Sequence, residues 1–74
     1  MQNITDKYFL KKLGSKIREL RIEKNMTQED LGFAVGNSGK QIGRIERGEH
    51  NVTVCMIYAV AKALKIPVKD IFNF

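Results

Sequence analysis

The sequence contains few of the residues that form covalent cross-links or metal sites: one cysteine, one histidine, one proline and no tryptophan. A single copy of the chain therefore cannot form a disulfide or supply a complete zinc site. The longest unbroken apolar run covers residues 54–61, whereas a membrane helix needs about 20 residues. The N-terminus has neither the basic start nor the apolar centre of a signal peptide. We therefore expect a cytoplasmic chain with no membrane segment, no cofactor and no metal.

The composition is that of one small globular domain. The chain has 74 residues, of which 43% are hydrophobic and 28% are charged, so we expect a single domain over residues 1–74 with a flexible N-terminal arm at residues 1–5. Thirteen Lys and Arg against eight Asp and Glu give a net charge of +5. This excess favours an anionic partner, nucleic acid before anionic membrane. Many small domains are basic merely for solubility, so the placement of the charges must decide.

Apolar residues recur at helical spacing, and no alternating strand pattern competes with them. Asn25 can take the left-handed position after the first helix. Thr27 can cap the second helix, with Asp30 reaching back in a variant of the capping box. Ser38 is suited to cap a third helix that Gly48 stops. The sequence predicts an all-α fold of five short helices: about residues 6–24, a short helix that opens at 27, then about 38–47, 54–65 and 68–72.

The third helix has two opposed sides when its residues are placed 100° apart. The apolar side carries Ile42, Ile45 and Glu46. The cationic side carries Lys40, Arg44 and Arg47. Such a helix can enter the major groove of DNA, which shows each base pair with a distinct donor and acceptor pattern. Lys40 and Arg44 suit guanine, and Gln41 suits adenine. The alternative is an ordinary solvated helix face.

Two charges fall on apolar helix faces. Arg21 follows Ile17 by four positions on the first helix, and Glu46 lies on the isoleucine side of the third helix. An isolated buried charge is costly, so the two are expected to form an ion pair. That pair would fix the angle of the third helix against the first.

Four motifs occur in order along the chain and resemble the phage-repressor and Cro-like helix-turn-helix family, also called XRE. They are residues 13–21 (LGSKIRELR), 26–31 (MTQEDL), 42–49 (IGRIERGE) and 61–67 (AKALKIP). The resemblance covers about residues 13–72. It implies a compact five-helix bundle of the lambda-repressor-like type that binds double-stranded DNA, with helices 2 and 3 as the helix-turn-helix.

The resemblance also implies roles for individual residues. It implies that Arg21 and Glu46 form the family's buried ion pair. The positions of the family's base-reading residues correspond here to Ser38, Gly39, Lys40, Gln41 and Arg44. The positions that contact the DNA backbone correspond to Gln28, Arg47 and Asn51.

Departures from the family pattern affect the helix-turn-helix itself. Gly32 stands where alanine is usual, and Gly39 and Gly43 stand where the family has side chains that touch DNA. An interior glycine costs a helix up to about 1 kcal/mol relative to alanine. These glycines either permit close backbone approach or are a tolerated weakness of the helices. Phe33, at a commonly polar position, either packs over the second helix or is exposed.

The fourth helix carries a second apolar stripe beyond its inward face. One recognition helix covers only a few base pairs, so a homodimer on a roughly palindromic operator is expected, with recognition helices about 34 Å apart. The candidate two-fold interface combines this stripe with the C-terminal tail: Met56, Ala59, Ala63, Ile71, Phe72 and Phe74, with Cys55 beside them. The alternative is a helix that packs its second stripe on its own tail.

The sequence therefore predicts a sequence-specific transcriptional regulator and not an enzyme. Cys55 lies in an apolar run that disfavours a thiolate, and no third group orients His50. No small-molecule substrate is expected. Within the family, a lone short domain is similar to restriction-modification controllers and to small antitoxins. The alternative function is accordingly a protein-interaction module, such as an antitoxin that covers a partner toxin and binds DNA secondarily.

Overall fold

Five helices make up the regular structure of the computed structural model, which describes residues 4–74. Within that range there is no strand, and the predicted all-α, five-helix architecture is confirmed. Residues 1–3 of the predicted N-terminal arm lie outside the described residues. The helices are α1 (Lys7–Glu23), α2 (Gln28–Ala34), α3 (Gly39–Glu46), α4 (Val54–Leu64) and α5 (Val68–Ile71).

Local side-chain chemistry sets the helix ends. The Thr27 hydroxyl accepts a hydrogen bond from the Asp30 backbone N–H at 3.0 Å, and the Asp30 carboxylate accepts one from the Thr27 N–H at 2.9 Å. This confirms the capping box, and the same contacts lower the pKa of Asp30. The Ser38 and Thr53 hydroxyls cap α3 and α4, each by accepting one hydrogen bond from a backbone N–H of the first helical turn. Asn25 has φ 58°, which confirms the left-handed end of α1.

One apolar cluster joins all five helices. It contains eleven buried side chains: Leu10, Leu13, Ile17, Leu31, Ile42, Ile45, Ile57, Val60, Ala61, Leu64 and Ile71. The prediction that Ile71 lies in a dimer interface is wrong, because this side chain is 0% exposed within its own chain. α5 folds back against α1 and α4 and inserts Ile71 into the core. No helix between residues 4 and 74 combines the length and the apolar character needed to cross a membrane.

Two glycines allow α1 and α2 to approach the backbone of α3 closely. A Cβ atom on Gly14 of α1 would lie 2.3 Å from the carbonyl oxygen of Ile45 in α3. A Cβ atom on Gly32 of α2 would lie 2.4 Å from the backbone carbon of Ser38, at the start of α3. Both distances are too short for any side chain. The interpretation of Gly32 as a tolerated weakness is therefore wrong, because close backbone approach requires it.

Candidate nucleic-acid interface

α3 lies with its isoleucines inward and its cations outward. Ile42 and Ile45 belong to the core, whereas the side chains of Lys40, Arg44 and Arg47 are exposed to solvent. This is the orientation that the helical spacing predicts. α2 packs against α3 across a turn in which Gly36 has φ 71°. The two helices thus present one cationic helix face that is clear of the rest of the described chain.

A buried ion pair holds α3 at this angle. Arg21 Nε donates to Glu46 Oε2 at 2.7 Å, and Arg21 Nη2 donates to Glu46 Oε1 at 3.1 Å. The third nitrogen, Nη1, donates to the Met26 carbonyl oxygen at 2.8 Å. The hydrogen bonds that Arg21 donates to Glu46 raise the pKa of Arg21, and burial opposes this effect. The expected pair between Arg21 and Glu46 is therefore present, and it also binds the loop between α1 and α2.

Gln28, the first residue of α2, is hydrogen-bonded to the ion pair of Arg21 and Glu46. Its Nε2 donates to Glu46 Oε1 at 3.1 Å, so Glu46 accepts hydrogen bonds from both α1 and α2. The side chain is half-buried. Its amide orientation is therefore determined by the buried carboxylate before any ligand binds.

Glu49 lies beside the cations of this surface, and the sequence did not predict its role there. Arg47 Nε donates to Glu49 Oε2 at 2.9 Å, and Nη2 donates to Oε1 at 3.4 Å. These hydrogen bonds lower the pKa of Glu49 and raise that of Arg47; the charges of Arg47 and Arg44 lower the Glu49 pKa further. The signal in the sequence is the pair of opposite charges on either side of Gly48, whose φ of 76° turns the chain back.

Three of the remaining predicted DNA contacts lie at the start of α3, and the fourth does not. The Ser38 hydroxyl accepts a hydrogen bond from the Gln41 backbone N–H at 3.2 Å, and both residues lie in the first turn of the recognition helix or at its cap. Gly39 is half-buried against Glu29 of α2. Asn51 is not brought to this group: its Nδ2 donates to the Ile4 carbonyl oxygen at 3.2 Å. Direct contact of these residues with DNA stays a prediction.

An apolar surface lies around the start of α4, beside the predicted dimer stripe. Val54 is 85% exposed and Tyr58 is 56% exposed, and together with Phe9 of α1 and Phe72 they line an open cavity of about 620 Å³. We call these four side chains the α4 groove. Cys55 is exposed at its edge.

The predicted dimer stripe is partly covered by the protein itself. Met56, Ala59 and Ala63 are only half-exposed, and both Met56 and Ala63 pack against the core. Phe74 is exposed and lies 5.7 Å from Phe9 between ring centroids. The exposed apolar area therefore centres on Val54 and Tyr58 and not on the stripe that the sequence indicated.

A braced helix pair with an exposed cationic second helix defines the helix-turn-helix class, and comparison with known proteins agrees. The pattern of the family described as helix-turn-helix matches residues 17–71. This chain belongs to the helix-turn-helix family of DNA-binding transcriptional regulators, of the XRE type.

Control protein C.BamHI of Bacillus amyloliquefaciens is 40% identical over 62 residues, which cover 82% of this chain and 76% of that protein. The restriction-modification controller protein C.AhdI from Aeromonas hydrophila is 40% identical and superposes with a TM-score of 0.83, over 85% of this chain and 96% of that one. The clp gene regulator ClgR from C. glutamicum is 28% identical and has the same TM-score, over 86% and 83%.

Proposed function

We propose that this protein is a cytoplasmic, sequence-specific regulator of transcription that binds double-stranded DNA as a homodimer on a roughly palindromic operator. The observation that carries the proposal is the orientation of α3. Its isoleucines are buried, its cations are exposed, and a buried ion pair ties it to α1. A helix held in this way can enter a major groove about 12 Å wide without rearrangement.

Direct base contacts are assigned to the exposed side chains of α3. Lys40 and Arg44 can donate to guanine O6 and N7, and Gln41 can pair with adenine. Ser38 and Gly39 lie at the end of α3 that approaches the bases first. Gln28, Arg47 and Asn51 are assigned to phosphates, which position the protein without reading sequence.

The homodimer is supported by the α4 groove. Large exposed apolar side chains that cluster on one surface indicate a site that another protein covers. A two-fold axis through this surface would let the two recognition helices face one side of the duplex about one helical turn apart. Phe72 lies in the groove, and Met56, Ala59, Ala63 and Phe74 remain interface candidates beside it.

The genes under control are proposed from the relatives. C.AhdI and ClgR superpose on this chain equally well, so the fold does not select between them. Identity is 40% to each of the two control proteins and 28% to ClgR. We therefore favour a controller of a restriction-modification system over a regulator of other genes.

Salt dependence tests DNA binding. Fluorescence anisotropy should give a log affinity that falls with log salt at a slope near −5 if about six phosphates are contacted.

The α4 groove also favours a second candidate function, a module that covers a partner protein, as an antitoxin does. An apolar protein contact responds little to salt, so a flat slope would support the second candidate and contradict the first.

Two substitutions test the assigned roles. Arg44→Ala should reduce discrimination at one base pair by about 1–3 kcal/mol, because a bidentate base contact is lost. Gln28→Ala should weaken all sequences alike. Both are measured with duplexes taken from in vitro selection and their single-base variants. Equal losses of discrimination in the two variants would contradict the assignment.

A further inference from the structure

The three exposed cations of the α3 face differ in their partners. Arg47 donates to Glu49 Oε2 from Nε at 2.9 Å and to Glu49 Oε1 from Nη2 at 3.4 Å. Among residues 4–74, Lys40 and Arg44 have no carboxylate oxygen within 4.0 Å of their charged nitrogens. Within that range, the two cations assigned to bases are therefore unpaired, whereas the cation assigned to a phosphate already has an anionic partner.

The backbone at the end of α3 holds Glu49 beside Arg47. The Glu49 N–H donates to the Arg44 carbonyl oxygen at 2.9 Å. The Gly48 N–H donates to the Ile45 carbonyl oxygen at 3.0 Å, and Gly48 has φ 76°. Together these bonds form a Schellman motif. A Cβ atom on Gly48 would lie 2.8 Å from a side-chain carbon of α1, so the turn also packs against that helix. The position of Glu49 is therefore set by the fold.

The Glu49 carboxylate binds Arg47 in the way that a phosphate would. Two oxygens of one anion accept from Nε and Nη2 of the guanidinium, the bidentate geometry that arginine forms with carboxylates and with phosphates alike. The hydrogen bonds from Arg47, together with the charges of Arg47 and Arg44, lower the pKa of Glu49, so this carboxylate is ionised at neutral pH. A DNA phosphate that approaches Arg47 therefore meets a competing anion.

We propose that Glu49 competes with the DNA backbone for Arg47 and thereby limits the affinity of the protein for duplex DNA of any sequence. The two side chains are 58% and 53% exposed, so their pair is weak enough for a phosphate to displace it. Glu49 forms no hydrogen bond with the side chains of Lys40 and Arg44, so base discrimination should not depend on it. This inference rests on the proposed function and on the assignment of Arg47 to a phosphate, and it adds a competitor within the chain.

Glu49→Gln tests the competition. Glutamine keeps the size of the side chain and removes its charge, so affinity measured by fluorescence anisotropy in about 0.15 M salt should rise about fivefold. The rise should be equal for a duplex obtained by in vitro selection and for a scrambled duplex. A Glu49→Gln protein that binds like the wild type, or that gains affinity for the selected duplex alone, would overturn the proposal.

The matched control removes the same charge from another exposed pair. Glu19 of α1 lies 3.8 Å from Lys16 Nζ and is 61% exposed. Glu19→Gln should change affinity less than about twofold, because this carboxylate has no part in the α3 face. A rise as large as that of Glu49→Gln would show that only the net charge of the protein matters, and the competition would be wrong.

A double-variant cycle separates competition from simple repulsion between Glu49 and DNA. In an Arg47→Gln background there is no guanidinium to compete for, so Glu49→Gln should raise affinity less than about twofold there. Both positions are exposed, so all variants should fold, and thermal unfolding checks this. An equal rise with and without Arg47 would mean that the Glu49 charge only repels DNA, and competition would be excluded.

Salt dependence gives a readout that does not depend on absolute affinity. In the wild type the pair of Arg47 with Glu49 carries no net charge, whereas in Glu49→Gln the phosphate contact of Arg47 releases a counterion. The slope of log affinity against log salt should therefore become steeper by about 0.9. If the wild type binds duplex DNA and Glu49→Gln leaves the slope unchanged, only this inference is wrong. If the wild type binds no duplex at any salt concentration, the proposed function is overturned as well.

Discussion

The two ends of the molecule are built differently. Around α3, the packing is directional: a buried ion pair, a shared glutamate and two glycines at backbone contact fix three helices against one another. No buried side-chain nitrogen or oxygen in residues 4–74 lacks a hydrogen-bond partner. Around α4 and α5 the contacts are apolar and a surplus of large side chains is exposed. The first kind of packing suits a surface that must keep its shape, and the second suits a surface that another protein covers.

Removing one member of the buried pair should have the largest effect. Glu46→Ala leaves Arg21 buried without its carboxylate, so we expect a loss of about 3–5 kcal/mol in the free energy of unfolding. Chemical denaturation followed by circular dichroism measures the loss. A loss below about 1 kcal/mol would mean that the pair is not what fixes α3.

The control for this change replaces both charges. Arg21→Met with Glu46→Leu removes the unpaired charge and should recover most of the stability, because apolar pairs of similar volume often replace buried ion pairs at no cost. DNA affinity should not recover with it, because Gln28 loses the acceptor that orients its amide. Equal recovery of stability and affinity would contradict the positioning role of Glu46.

Gly14→Ala should lower the free energy of unfolding nearly as much as Glu46→Ala does. The new methyl group would lie 2.3 Å from the Ile45 carbonyl oxygen, so α1 and α3 must separate, at a cost of about 3 kcal/mol. Gly43→Ala is the natural comparison, because it adds the same methyl group where only flexible side-chain ends lie near. Thermal unfolding of the two variants should shift in opposite directions. A shift of the same sign in both would show that the glycines are not distinguished by their surroundings.

Local chemistry explains which features of the fold could be predicted from the sequence. The caps at Thr27 and Ser38 and the left-handed Asn25 depend on neighbours within three residues, and all were predicted correctly. The pair of Arg21 with Glu46 was predictable because each charge falls on an otherwise apolar face. The residues proposed to contact DNA were assigned by helical spacing and by family resemblance, and their contacts remain predictions.

Apart from the pair of Arg21 with Glu46, features that depend on distances between helices could not be predicted. α5 has only four residues, too few to show an apolar period, so Ile71 was assigned to the surface although it is in the core. The requirement for Gly32 appears only when α2 meets the start of α3. Similarly, which apolar side of α4 is exposed depends on where α5 and α1 lie.

Val54→Asp should separate folding from association in the α4 region. Val54 is 85% exposed at the start of α4, where an acidic residue is favourable, so the free energy of unfolding should change by less than about 0.5 kcal/mol. A charge in the groove should raise the dimer dissociation constant about thirtyfold in sedimentation equilibrium. Ser15→Asp is the control of equal charge. Unchanged association of Val54→Asp would place the dimer interface elsewhere.

The smallest effect is expected at Phe33, which sharpens the contrast between the two ends. Of the two possibilities for this residue, the structure shows the exposed one: Phe33 is 88% exposed on α2, apart from the α4 groove. A single exposed apolar side chain carries little energy, whereas a cluster indicates an interface. Phe33→Ser should therefore change the free energy of unfolding by less than about 0.5 kcal/mol and leave the dimer dissociation constant unchanged. A weaker dimer in this variant would show that the groove is not the only apolar surface used in association, and the division between a DNA-binding end and an assembly end would no longer hold.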